Sequence, residues 1–174
     1  MTDETRVDGL RPGEIPSLWR ALSANEGAVQ NLFNVVVPGM TPDDLKEEFT
    51  KEIRRRGFSG EVSGAAFVVG EGGVGPKLRL NQPLEEGDLW GMDFQFACDG
   101  FYSDIGRYAV LGEPSPERLA RHGRILELED AIAEAIRPGR TIAEALESGL
   151  PHPDLQPHAG VHRVGLEMHE HPEF

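Results

Sequence analysis

Asp93 and Asp104 stand eleven residues apart, either side of an Asp99-Gly100 pair, and His162, His169 and His171 crowd into ten residues further along. Carboxylates suit hard divalent cations, while imidazole ligates borderline metals and exchanges protons near neutral pH. Acids and histidines together suit a centre that activates water, and two-metal hydrolytic sites hold their ions about 3.5–4 Å apart. The plainer alternatives are a solvated sheet face for the acids and a surface tract for the histidines. Gly160 and Gly165 would let backbone pack closely around a site. His122, in a polar helix, and His152, in a proline-rich loop, read as surface. Pro157 and Gly160 argue against a helical ligand pair of His158 and His162. His169-Glu170 lacks the spacing of a zinc-protease helix.

A hairpin would bring the two acids together. Asp99-Gly100 is a preferred type I′ turn pair, and strand-like runs flank it at 89–97 and 101–111. A two-residue turn there pairs residues whose numbers sum to 199: Cys98 with Phe101, Phe96 with Ser103, Gln95 with Asp104. Side chains alternate between faces along a strand. One face then carries Asp93, Gln95, Ala97, Tyr102, Asp104 and Gly106; the other carries Phe94, Phe96, Cys98, Phe101, Ser103 and Ile105. The second face is core. On the first, Asp93 and Asp104 are diagonal neighbours, about 7–8 Å apart at the backbone. Acids that converge from there repel unless a cation lies between them.

Residues 1–26 mix proline, glycine and charge and predict a loose lead-in, with a helix from Gly27 to Val37 closed by Pro38-Gly39. Thr41-Pro42-Asp43-Asp44 opens a second helix: a threonine cap, proline in the first turn, and an acid three residues after the cap. Leu45, Phe49 and Ile53 form its apolar stripe, and Arg54-Arg55-Arg56-Gly57 ends it. Ala65–Val69 reads as a buried strand, and Pro116–Ile136 as a helix. The order helix, Pro-Gly, threonine cap, acid then recurs at Arg137-Pro138-Gly139-Arg140-Thr141-Ile142-Ala143-Glu144, offset by 100 residues. The recurrence suggests an internally duplicated α+β domain. Two independent helix stop-and-start signals would look the same.

Composition narrows the partners. The chain's 174 residues suffice for one domain. Thirty acidic residues against 17 basic ones give a net charge of −13. That balance repels phosphate backbones and anionic lipid, so neither nucleic acid nor a membrane surface is expected. Cys98 is the only cysteine, which excludes an intrachain disulfide and fits a reducing compartment. The polar, acidic Met1-Thr-Asp-Glu start has no signal-peptide character, and no apolar run approaches bilayer length. A soluble cytoplasmic protein is the expectation.

Taken together, these residues resemble the pita-bread metallopeptidase family, which includes methionine aminopeptidase, Xaa-Pro peptidases and creatinase. The family pattern has a Gly-Asp before a strand, an Asp in it, and a second Asp eleven residues on, within Asp-Gly-Tyr-x-Ser-Asp-x-x-Arg. This chain carries Gly87-Asp88-Leu-Trp-Gly-Met-Asp93 and Asp99-Gly-Phe-Tyr-Ser-Asp104-Ile-Gly-Arg107. Gly160-Val-His162-Arg-Val-Gly165-Leu-Glu-Met-His169-Glu is similar to the histidine motif, and Gly112-Glu-Pro-Ser-Pro and Arg137-Pro-Gly look like the Xaa-Pro branch.

The resemblance implies an α+β pita-bread fold with a pseudo-twofold duplication over residues 27–174, behind the 1–26 lead-in. It also implies a dinuclear site of two Asp, one His and two Glu. Asp93, Asp104 and His162 match the first three ligands, with Asp104 bridging both ions. His169 matches the histidine that contacts substrate and steadies the tetrahedral intermediate. Two divalent ions (manganese, cobalt or zinc) would activate a water to cleave a peptide bond, as in an Xaa-Pro aminopeptidase or dipeptidase. The expected partner is a peptide or small amide substrate, with a homodimer left open.

Three departures qualify that implication. The two glutamate ligands lie farther along the family's domain, and the chain stops at Phe174 before reaching them, so a fragment with an incomplete site is expected. Glu167, Glu170 and Glu173 stand in the wrong motif to replace them. The pocket histidine usual before the first Asp is missing from 74–83, and the usual Arg-Thr is Arg107-Tyr108. A creatinase-like enzyme acting on a non-peptide C–N bond, or an inactive pita-bread module that binds peptides or proteins, are the rival readings. Gly70-Glu-Gly72-Gly-Val-Gly75 formally fits a dinucleotide fingerprint, but Pro76 and a β-like Lys-Leu-Arg-Leu follow where a helix should begin.

Overall fold

Both residues of the Asp99-Gly100 turn have positive φ, 52° and 83°, the type I′ geometry whose twist matches the strands it joins. The computed structural model describes residues 11–70, 77–79, 82–149, 162 and 164–169. Its elements are α1 (Ile15–Val35), α2 (Pro42–Arg55), β1 (Val62–Gly70), β2 (Lys77–Arg79), β3 (Leu89–Cys98), β4 (Phe101–Val110), α3 (Pro116–Ala135) and α4 (Ile142–Gly149). They fall into two compact units. The first ends at Gly112 and takes in the segment from Val164; the second begins at Glu113 and includes His162.

The first unit is a sheet ordered β2-β1-β3-β4, with every neighbouring pair antiparallel. The hairpin register is the expected one, with Gln95 opposite Asp104, Phe96 opposite Ser103 and Cys98 opposite Phe101. One face of β3, from Trp90 through Met92, Phe94 and Phe96 to Cys98, is buried with Leu32 and Val29 of α1 and Phe49 and Ile53 of α2. Phe49 and Phe94 bring their ring centroids to 4.6 Å, within the range of favourable aromatic pairs. Among the described residues, no helix is long and apolar enough to cross a membrane.

The first helix begins at Ile15, so residues 15–26 are helical rather than a loose lead-in. Its buried face is Ala21, Ala24, Asn25, Ala28, Val29 and Leu32, spaced at three and four residues. Alanines carry little hydrophobic signal in a sequence, yet their small size lets helix and sheet approach closely. The second helix is capped as expected. The Thr41 amide donates to Asp44 Oδ2 at 2.7 Å, and the Asp44 amide donates to Thr41 Oγ1 at 3.2 Å.

The second unit contains α3 and α4, and its loop repeats the first unit's device in detail. Gly139 has φ 89° where Gly39 has 94°. The Thr141 amide donates to Glu144 Oε2 at 2.8 Å, and the Glu144 amide donates to Thr141 Oγ1 at 3.2 Å. The helices before the two loops end at Val35 and Ala135, offset by 100 residues. Agreement in helix end, glycine φ and capping box goes beyond a shared stop signal and supports the duplication. The glycine run at 71–76 lies outside the described residues, but the segment after it is the strand β2, not a helix.

Candidate metal centre

The site is built on the outward face of the hairpin, and its inward face shows why the outward one is fixed. Asn25 of α1 donates its side-chain amide to the Phe94 carbonyl at 2.9 Å and to Ser103 Oγ at 3.0 Å. Ser103 Oγ donates in turn to the Phe96 carbonyl at 3.2 Å. A one-residue slip would move every side chain to the opposite face. With Phe94, Phe96 and Ser103 held inside, Asp93, Gln95 and Asp104 have to point the other way.

On that face Gln95 lies between the acids. Its Nε2 donates to Asp93 Oδ1 at 2.7 Å and to Asp104 Oδ1 at 3.1 Å. Ser63 Oγ on β1 donates to Gln95 Oε1 at 3.3 Å, closing the chain of contacts on the far side. Asp93 is exposed as a residue, but crowding desolvates its carboxyl group. That desolvation, and then the charge of Asp104, hold its pKa above the ordinary carboxylate value, while the Gln95 hydrogen bond pulls it down.

The histidine segment joins β4 at the edge away from β3. The Tyr102 amide donates to the Gly165 carbonyl at 2.7 Å, and the Gly165 amide donates to the Glu167 carbonyl at 3.1 Å. His169 Nε2 then lies 3.7 Å from Asp104 Oδ2. Asp104 and His169 thus bring a carboxylate and an imidazole together within the first unit, while His162 belongs to the second. Asp93 adjoins Asp104 directly, and both carboxylates accept from Gln95. One carboxylate and one imidazole at this spacing, with a second carboxylate beside them, fit a divalent transition-metal cation.

Residue types and spacing point to Asp93 and Asp104, and the family resemblance adds His162 and His169, but neither assigns a role to Gln95, Asn25 or Ser103. For Gln95 a signal existed, because strand alternation puts it on the acids' face directly opposite Asp104. Asn25 had none, since its partners are 69 and 78 residues away.

The model of Metallopeptidase family M24 matches residues 17–174. The chain belongs to family M24. Among curated relatives it is 29% identical to the probable dipeptidase PepE of Mycobacterium tuberculosis, over 98% of this chain and 45% of the relative. It is 33% identical to the Xaa-Pro dipeptidase of Pyrococcus furiosus over 103 residues, 56% of this chain and 30% of that one. Solved structures agree on the fold. An Xaa-Pro dipeptidase from Bacillus anthracis superposes with a TM-score of 0.76 at 23% identity, covering 93% of this chain and 48% of that one. The prolidase from Pyrococcus furiosus gives 0.74 at 22% identity, covering 94% and 50%. The fold is therefore the pita bread of the M24 peptidases, and the chain spans about half the length of the relatives it matches.

Proposed function

We propose that this M24 chain supplies Asp93, Asp104 and His162 as metal ligands, and His169 as a substrate-facing histidine, to a hydrolase that cleaves Xaa-Pro peptide bonds. The observation that carries the reading is the approach of a late histidine segment to a hairpin that already presents two acids on one face. The dipeptidase and Xaa-Pro names of the relatives support a peptide substrate.

Divalent ions held here would lower the pKa of a water and polarise the scissile carbonyl. The chain's own residues do the rest. Asp104 turns its Oδ2 to the histidine side, where it can share a cation with the neighbouring ligands. His169, exposed at the rim, can donate a hydrogen bond to a carbonyl oxygen as negative charge builds on it. Manganese, cobalt and zinc all suit this donor set, and the two glutamate ligands implied by the resemblance would complete it.

The absence of a histidine from 74–83 favours one second reading, a creatinase-like C–N hydrolase of a small substrate. The test is turnover by the whole manganese-loaded protein on a panel of Xaa-Pro dipeptides and on creatine, with Asp104→Asn as control. Peptide turnover lost in the control supports the first reading, and turnover of creatine alone supports the second. Stoichiometric manganese binding without turnover of any substrate would defeat both and leave a binding module.

A further inference from the structure

We propose that Gln95 is a placeholder for the cation: its amide holds Asp93 and Asp104 together in the metal-free protein and must release them when metal binds. The inference rests on the metal-centre reading above. The Nε2 of Gln95 carries two N–H groups and has two carboxylate acceptors, Asp93 Oδ1 at 2.7 Å and Asp104 Oδ1 at 3.1 Å. One nitrogen with positive partial charge, set between acids from adjacent strands, stands where a shared cation would bind the same oxygens.

The far side of the amide fixes its orientation. Ser63 Oγ donates to Gln95 Oε1 at 3.3 Å, and turning the amide over would set Oε1 against two carboxylates. Gly64 leaves room for this arrangement, because a Cβ there would come within 2.8 Å of Gln95 Oε1. Gln95 is only 6% exposed, so its amide is held by these protein partners rather than by bulk solvent. Without the amide, the two neighbouring carboxylates would lose the donor they share. With it, the metal-free face is satisfied, and an arriving cation has to break two charge-assisted hydrogen bonds to claim both oxygens. Gln95 is thus a positioning residue that lends the metal-free site order and lowers its affinity.

The test is calorimetric titration with manganese chloride on the whole wild-type protein and on its Gln95→Ala and Gln95→Met variants, the latter keeping the length without the donors. Both variants should bind manganese about tenfold more tightly, the net contribution of roughly one charge-assisted hydrogen bond, and both should melt earlier in EDTA. In the wild type, titration with diamagnetic zinc should shift the Gln95 side-chain NH2 resonances, assigned by their loss in the variants. Affinity in Gln95→Met equal to or below wild type, or NH2 resonances that stay put while zinc binds, overturns the placeholder and leaves the metal centre standing. No manganese binding by any of the three proteins overturns the metal centre, and the placeholder with it. Should Gln95→Ala fail to fold or differ from Gln95→Met, the methionine variant and the wild-type resonances decide.

Discussion

Asn25 on the first helix donates its side-chain amide to Ser103 at 3.0 Å, one residue before Asp104 on the fourth strand. A helix far away in sequence thereby holds the inner face of the hairpin whose outer face carries the acids. Both residues are fully buried, so their polar groups depend on each other and on the Phe94 and Phe96 carbonyls.

Removing that contact should loosen both fold and site. Asn25→Ala leaves a buried hydroxyl and a buried carbonyl short of a donor, which costs about 1–3 kcal/mol. Urea midpoints would measure the loss, and manganese affinity should fall with it. Full stability in the variant would contradict the role given to Asn25.

The two acids should conflict when no metal is present. The folded-state pKa of Asp93 is raised, by desolvation first and the Asp104 charge second. An acid with a raised folded pKa contributes a loss of stability that begins as pH rises through its unfolded value, near 3.8, and is complete above the folded one. Asp93→Asn should therefore melt higher than wild type in EDTA at pH 7 and no higher at pH 3. If the proposed metal centre forms, manganese should raise the melting point of the wild type and not of this variant. A lower melting point for Asp93→Asn at pH 7 would refute the repulsion.

The capping acids should respond to pH with the opposite sign. Asp44 and Glu144 both have lowered pKa values, chiefly through the backbone hydrogen bonds of Thr41 and Thr141. Each contributes stability present above its unfolded value, 3.8 or 4.5, and lost as pH falls through the lower folded one. Asp44→Ala and Glu144→Ala should each destabilise the protein at pH 7, and part of each gap should close by pH 2. Gaps of constant size from pH 7 to pH 2, read by urea denaturation, would show that the carboxylates play no part.

Gly64 and Gly57 make a controlled pair, with φ of 82° and 86°. Alanine at 57 meets nothing within 4 Å and should cost about 1 kcal/mol through backbone strain alone. Alanine at 64 also presses on the Asp93 carbonyl oxygen and Gln95 Oε1, so it should cost about 1–3 kcal/mol more. Equal losses in the two variants, measured in the same denaturant series, would show that the sheet yields freely beside the site.

Much of the hairpin was legible because its determinants are local. Asp99-Gly100 specifies a turn, the turn specifies a register, and strand alternation then puts Asp93, Gln95 and Asp104 on one face. The Thr41 and Thr141 caps were legible for the same reason, each being decided within four residues. The start of α1 was not, because alanines bury a helix face without announcing it.

Residue order alone thus set the turns, the caps and the two-faced hairpin, since each follows from the residues of a turn or cap and the alternation of the strands beside it. Only folding decided that Asn25 reaches Ser103, that Gly165 meets the edge of β4 at Tyr102, and that Ser63 stands behind Gln95. Those contacts join residues distant in sequence, and their distances depend on how helix, sheet and segment pack. No spacing within a single strand or helix encodes that packing.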